Sequence, residues 1–232
     1  MRDVADLARE LGITRLCHVT KSANLAHILA SGEIRPVTTL QEQSDAFRPA
    51  DTRRMDGALA YTFLSVEYPN TWYLSQAASR DPHFRDWVVL TLDPGILARP
   101  GVRFSPYNSA RDMSAGAHAG VEAFRAMFAA MVTGNATRRR ERNHPAWWPT
   151  DDQAEVQTPH AIPLSDVRTV IVRDEEQAQL EYHRHVALGT AALLPPLSVA
   201  PVIFDKYGLS RSVRTGKRPL ETPYTPPPTL AE

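Results

Sequence analysis

The chain holds a single cysteine, Cys17, among its 232 residues. An intramolecular disulfide is therefore excluded, and a reducing, cytoplasmic compartment is the expectation. It also lacks a charge excess: 26 Lys and Arg balance 26 Asp and Glu. No overall field draws it to nucleic acid or to a membrane, so its charges have to be read by position. Long hydrophobic runs are missing too. The most apolar stretch, "VALGTAALLPPLSVAPVIF", is broken by Pro195 and Pro196 and falls short of the roughly 18 unbroken residues of a spanning helix. The opening "MRDVADLARELG" reads as an amphipathic helix rather than a signal peptide. There is no P-loop, no Gly-x-Gly-x-x-Gly, no internal repeat and no Cys or His spacing suited to zinc, so no metal is expected.

What is present is a mixture of short β-prone and helical segments. "LCHVT" from Leu16 is a strand, and "SANLAHILASGEIRP" is a helix that starts at Ser22 and stops at Gly32. Residues 37–57 lose all periodicity and carry Arg48, Arg53 and Arg54, which marks a long functional or mobile loop. "ALAYTFLSV" and "WVVLTLDP" read as buried strands around a helix bearing Trp72 and Tyr73. "AGVEAFRAMFAAMVTG" has helical apolar spacing and a terminal glycine. "QAEVQTPHAIPL" and "DVRTVIVRD" are further strands, and "EEQAQLEYHRHVALGTAALL" is a closing helix. These readings divide the chain into a domain over 1–175 and an extension over 176–232, the latter a helix and a proline-rich, partly ordered tail without a core-forming pattern.

Three groups of residues invite chemistry. Glu155 sits between Ala154 and Val156 in an alternating strand segment, directly after the polar stretch "WWPTDD". Taken alone it fits a solvated strand carboxylate as well as a group that stabilises positive charge at a breaking glycosidic bond. His18, Thr20, Ser22 and Asn24 gather donors and acceptors at a strand end and helix start, where a histidine with a merely structural role is the commoner occurrence. "RRRER" from Arg138 lies close to Trp147 and Trp148. Such runs are usually exposed, but charge interleaved with aromatic surface suits unpaired nucleic acid better than duplex.

In chain order, "LCHVTKSANLAHILASGEI", "DTRRMDGALAYTFLSVEYPNTWYL" and "DQAEVQTPHAIPLSDVRTVIV" resemble the DarT family of bacterial DNA ADP-ribosyltransferase toxins, over about residues 15–172. The resemblance implies an α+β fold of the ADP-ribosyltransferase type: a split pair of small, mostly antiparallel β-sheets with flanking helices and an NAD cleft between them. It implies Glu155, in "QAE", as the catalytic glutamate, and Arg54 as the catalytic arginine with Arg53 beside it. It places NAD, as co-substrate, against His18, Val19, Thr20 and Asn24. Tyr61 and Tyr73 would wall the nicotinamide pocket, and Arg138, Arg139, Arg140, Trp147 and Trp148 would hold the acceptor. The implied acceptor is a base of single-stranded DNA, and the implied partner a macrodomain antitoxin. RNA or protein acceptors, and a noncatalytic nucleotide-binding module, remain open at the level of sequence.

Overall fold

The computed structural model describes residues 3–42, 58–80 and 84–227; Arg48, Arg53 and Arg54 lie outside the described residues. Helix α1 (Val4–Leu11) begins where the Asp3 side chain accepts from the Asp6 amide and ends at Gly12, whose φ of 74° lies in the left-handed region that favours glycine. Strand β1 (Leu16–Lys21) runs straight into helix α2 (Ser22–Ser31), which stops as expected at a left-handed Gly32. There follow β2 (Glu33–Ile34), α3 (Val37–Glu42), β3 (Thr62–Val66), α4 (Thr71–Arg80) and β4 (Trp87–Leu92). The middle of the chain supplies β5 (Arg103–Ser105), β6 (His118–Ala119), α5 (Val121–Ala126), β7 (Met131–Thr133), β8 (Thr137–Arg139) and β9 (Glu155–Thr158). It closes with β10 (Ile162–Pro163), β11 (Val167–Val172), α6 (Glu175–Ala187), β12 (Leu197–Val199), α7 (Lys206–Arg214) and β13 (Thr222–Pro223). None of the helices among the described residues is long and apolar enough to cross a membrane.

Nine strands make one sheet in the order β13-β12-β11-β4-β1-β3-β9-β5-β6. Only β11 and β12 run parallel within it, which the crossover through α6 makes possible. The sheet is nearly two. β1 pairs with β4 along its whole length, from Leu16↔Leu92 to Lys21↔Trp87, but with β3 only at Leu16↔Val66 and Cys17↔Ser65. Past Cys17 the two strands part, leaving β13-β12-β11-β4-β1 on one side of a cleft and β3-β9-β5-β6 on the other. This is the split, mostly antiparallel pair of sheets with flanking helices that the α+β reading anticipates.

β4 explains its own sequence. Flanked by β1 and β11, all six of its residues are buried. Val88, Leu90 and Leu92 enter a cluster with Leu16, Leu64, Val156 and Val170, whereas Val89 enters a second cluster with Cys17 and Ile171 on the opposite face. A strand covered on both faces has no solvent side, so apolar residues run on without alternation.

Three expectations need revision. The stretch 37–57, read as a loop without periodicity, opens with helix α3 at Val37–Glu42. The helix read over "AGVEAFRAMFAAMVTG" is confined to α5; Met131, Val132 and Thr133 instead pair with Arg139, Arg138 and Thr137 in a hairpin. Val and Thr are stiff at χ1 and favour strand, and local preference wins once the chain turns at 134–136. The stretch beyond Pro195, read as lacking a core pattern, extends the sheet with β12 and β13. It also buries Leu209 and Val213 of α7, one helical turn apart, against Trp148, Ile203 and Val89.

Candidate active site

β9 carries alternating residues to opposite sides of its half-sheet. Val156 faces Leu64 and Phe104 across the strands and is fully buried in the apolar core. Glu155 and Gln157 point the other way and share that face with Ser105, Arg103 and Phe63. The face does not leave Glu155 to water. Ser109, itself fully buried at the start of a 3₁₀ turn after β5, directs its backbone N–H (3.1 Å) and its hydroxyl onto Glu155 Oε2. That turn is set by Asn108, whose side chain accepts from the Ala110 amide. Two donors on one oxygen fix the carboxylate's orientation. Two positions along β9, Arg103 donates to Gln157 Oε1 at 2.6 Å and lies over the Tyr61 ring, 3.9 Å from its centroid. Tyr61 therefore joins the face that presents Glu155. Ser109, Arg103 and Gln157 had no sequence motif to announce them; they meet only because β5 and β9 pair.

His18 stands where β1 has left β3. Its Nδ1 lies 3.0 Å from the Phe63 carbonyl, an acceptor, so Nδ1 carries the hydrogen and Nε2 presents a lone pair. Burial holds its pKa below the ordinary histidine value, which keeps the ring neutral. In effect the side chain bridges the mouth of the split in place of a backbone partner. Thr20 is buried and its hydroxyl accepts from Asn24 Nδ2 at 3.1 Å, joining the end of β1 to the first turn of α2; Val19 is half-buried between them. His18, Thr20 and Asn24 thus form a polar edge on the β1 side of the cleft, whereas Val19 packs against the apolar clusters of Val89 and Trp87. Tyr73, on α4, is half-buried against Leu74, Ala77 and Trp87, the cluster on which Val19 also packs.

The loop between β8 and Glu155 divides the basic and aromatic residues singled out in it. Arg138 and Arg139 belong to the β7–β8 hairpin, half-buried and exposed respectively. Arg140 turns inward: it donates to the Trp148 carbonyl (2.9 Å), the Pro145 carbonyl (2.6 Å) and the Thr150 hydroxyl (3.1 Å). Trp148 is 2% exposed and sits in the second core cluster, so no face of it is open to a nucleotide base. Trp147 is half-buried, with the Arg218 guanidinium 4.1 Å above its ring and Tyr68 beside it. The stacking surface expected of the tryptophan pair is thus used inside the fold, and of the three arginines Arg140 serves the loop itself.

His144 closes this loop. Its Nε2 lies 3.2 Å from the Trp148 carbonyl and 3.0 Å from the Pro149 carbonyl, and its ring stacks on Trp148. Burial first, then the Arg140 and Arg214 charges, pull its pKa down to about 4 from 6.5. Between those values the unfolded chain binds a proton that the folded chain does not, so stability falls as pH drops from about 6.5 to about 4. The shift corresponds to on the order of 3 kcal/mol. Thermal melts should show His144→Asn losing distinctly less stability than the parent across that window; parallel slopes would refute the assignment.

Comparison with known proteins agrees with this fold. A family model described as "ssDNA thymidine ADP-ribosyltransferase, DarT" matches residues 17–207. Among solved structures, Thermus sp. 2.9 DarT in complex with ADP-ribosylated ssDNA superposes with a TM-score of 0.54 at 13% identity, covering 83% of this chain and 97% of that one. The same Thermus protein in complex with NAD+ gives 0.51 at 14% identity, covering 82% and 97%. Thermosipho africanus DarTG in complex with ADP-ribose gives 0.53 at 14% identity and 82% of this chain, which spans about half, 51%, of the Thermosipho protein. No curated protein matches. At these identities the superpositions establish the fold, and it is the family model, running from Cys17 in β1 past Glu155 to Tyr207 in α7, that shows the chain to belong to the DarT family of ssDNA thymidine ADP-ribosyltransferases.

Proposed function

We propose that this chain cleaves the bond between nicotinamide and ribose in NAD and transfers the ADP-ribose to thymine in single-stranded DNA. The observation that carries the proposal is Glu155, held by two donors from Ser109 on the face of β9 opposite the apolar core. NAD lies along the edge formed by His18, Thr20 and Asn24, beside Val19. A neutral His18 accepts a hydrogen bond at Nε2 without adding positive charge beside a substrate that becomes cationic. Fit is supported by the cleft itself: past Cys17 and Ser65 the strands no longer pair, and His18 bridges them at the Phe63 carbonyl.

As nicotinamide departs with the bonding electron pair, positive charge grows on the ribose carbon, and the fixed carboxylate of Glu155 stabilises it while binding a ribose hydroxyl. Thymine in DNA has one ring N–H left, N3, because N1 is bound to deoxyribose. The N3 electron pair forms the new bond and its proton passes to a base, a role within reach of Glu155. Tyr61 packs near this face, Arg54 with its neighbour Arg53 retains the role implied by family resemblance, and Arg138 and Arg139 on the hairpin meet the acceptor phosphates. Thymine modification blocks templating, which makes the product toxic, and a macrodomain antitoxin that removes ADP-ribose is the matching partner. The similarity to Thermosipho africanus DarTG supports such a pair.

The test is incubation with NAD and a panel of oligonucleotides containing a single thymidine, no thymidine, or uridine in RNA, with adduct masses read by spectrometry. An ADP-ribose increment on thymidine-containing DNA alone is expected. Equal labelling of RNA or protein would reject the acceptor, and no nicotinamide release on any acceptor would reject the reaction.

A further inference from the structure

The family model stops at residue 207, and three charged side chains beyond it reach back to the loop before Glu155 and to the paired ends of β1 and β3. Arg214, at the end of α7, lies 3.4 Å from His144 Nδ1, 3.8 Å from Asp152 Oδ1 and 5.4 Å from the centroid of Trp148. Arg218 pairs with the fully buried Glu67 at 2.6 Å while covering Trp147. Glu221 takes both guanidinium nitrogens of Arg15, at 2.8 and 2.5 Å. These partners fall in two places. Arg15 and Glu67 flank β1 and β3 at the end where the two strands still pair, the vertex of the cleft. His144, Trp147, Trp148 and Asp152 belong to the loop that delivers Glu155 three residues later.

We propose that residues 205–221 are a brace that positions the 144–152 loop, and through it Glu155, against the vertex of the cleft, with Arg214 as its positioning residue. The proposal rests on the reading of Glu155 as the catalytic carboxylate. Arg214 acts on both ends of the loop. At one end its N–H meets the lone pair that His144 retains at Nδ1, because Nε2 donates to two carbonyls. At the other it compensates Asp152, whose Oδ1 is buried and has no hydrogen bond among the described residues, while Oδ2 accepts from Trp72 Nε1 at 3.0 Å. Without Arg214 this buried carboxylate loses its counter-charge, and the loop gains reason to open toward water. Leu209 and Val213 anchor the brace in the same cluster as Trp148, so the charge contacts start from a rigid support.

Two readouts on the full chain decide the matter. Hydrogen exchange should quicken at least several-fold in peptides covering 144–155 of Arg214→Met, with β4 unchanged. With thymidine-containing single-stranded DNA and NAD, kcat should fall about 10-fold while KM for NAD moves less than about 3-fold, and Arg214→Lys should recover part of kcat. Unchanged exchange over 144–155, or normal kcat per folded molecule, overturns the brace. If Arg214→Met does not fold, the same two measurements on Arg214→Lys decide. Absence of transfer by the parent protein would instead overturn the proposed reaction, and the exchange result would still judge the brace.

Discussion

Glu155→Gln should reduce transfer of ADP-ribose to single-stranded DNA by roughly 10³-fold, in the range of groups that supply charge stabilisation and proton transfer at a reacting centre. The substitution is chosen because the amide oxygen of glutamine still accepts from both donors of Ser109, so the side chain keeps its place and loses only its charge and basicity. NAD affinity should change by no more than a few-fold and the melting temperature by a few degrees, since Glu155 is partly buried at the edge of the cleft and not in the core. Nicotinamide release and adduct formation should fall together. A variant that kept more than a tenth of parental kcat would remove Glu155 from the catalytic role and return it to the ordinary strand carboxylate it resembles in isolation.

Trp148→Ala should cost about 3–5 kcal/mol of stability, the usual range for truncating a large buried aromatic. For a chain of this size that is a fall of roughly 10 °C in melting temperature. The cost arises on three sides. The indole fills the cluster of Cys17, Val89, Ile171, Leu209 and Val213, stacks on His144, and forms the surface on which Arg214 lies. Oligonucleotide binding per folded molecule should be unaltered, because Trp148 presents no open face. The opposite pattern, weakened binding of single-stranded DNA at an unchanged melting temperature, would restore the stacking role that the sequence suggests.

What the sequence made legible was local. Gly32 ends α2 where its left-handed backbone allows, β4 reads as a buried strand because it is one on both faces, and Glu155 falls in a strand as its alternation requires. The split of the sheet was reachable only through family resemblance, since Cys17, Ser65 and Thr91 are far apart in the chain and nothing in composition says that they are neighbours. Ser109 is hidden for the same reason: its partner lies 46 residues away. The tryptophans misled because exposed and buried aromatics look alike in a polar stretch, and what buries Trp148 is α7, some sixty residues later. Leu209 and Val213 did show the helical spacing of a buried face. The density of prolines around them masked it.

The order of strands in the sheet also sets an order in time. One wall of the cleft, β3-β9-β5-β6, is built from residues 62–158, whereas the other, β13-β12-β11-β4-β1, spans residues 16–223 and includes β1, which precedes every other strand of the sheet in the chain. A nascent chain emerging from the ribosome therefore holds Glu155 and its whole half-sheet while β1 and β4 still await β11 and β12. Pairings between such distant segments are slow, and the wall that carries His18 closes last. A fragment of the chain that stops soon after Thr158 would therefore carry Glu155 and its half-sheet without β11, β12 and β13 of the opposite wall.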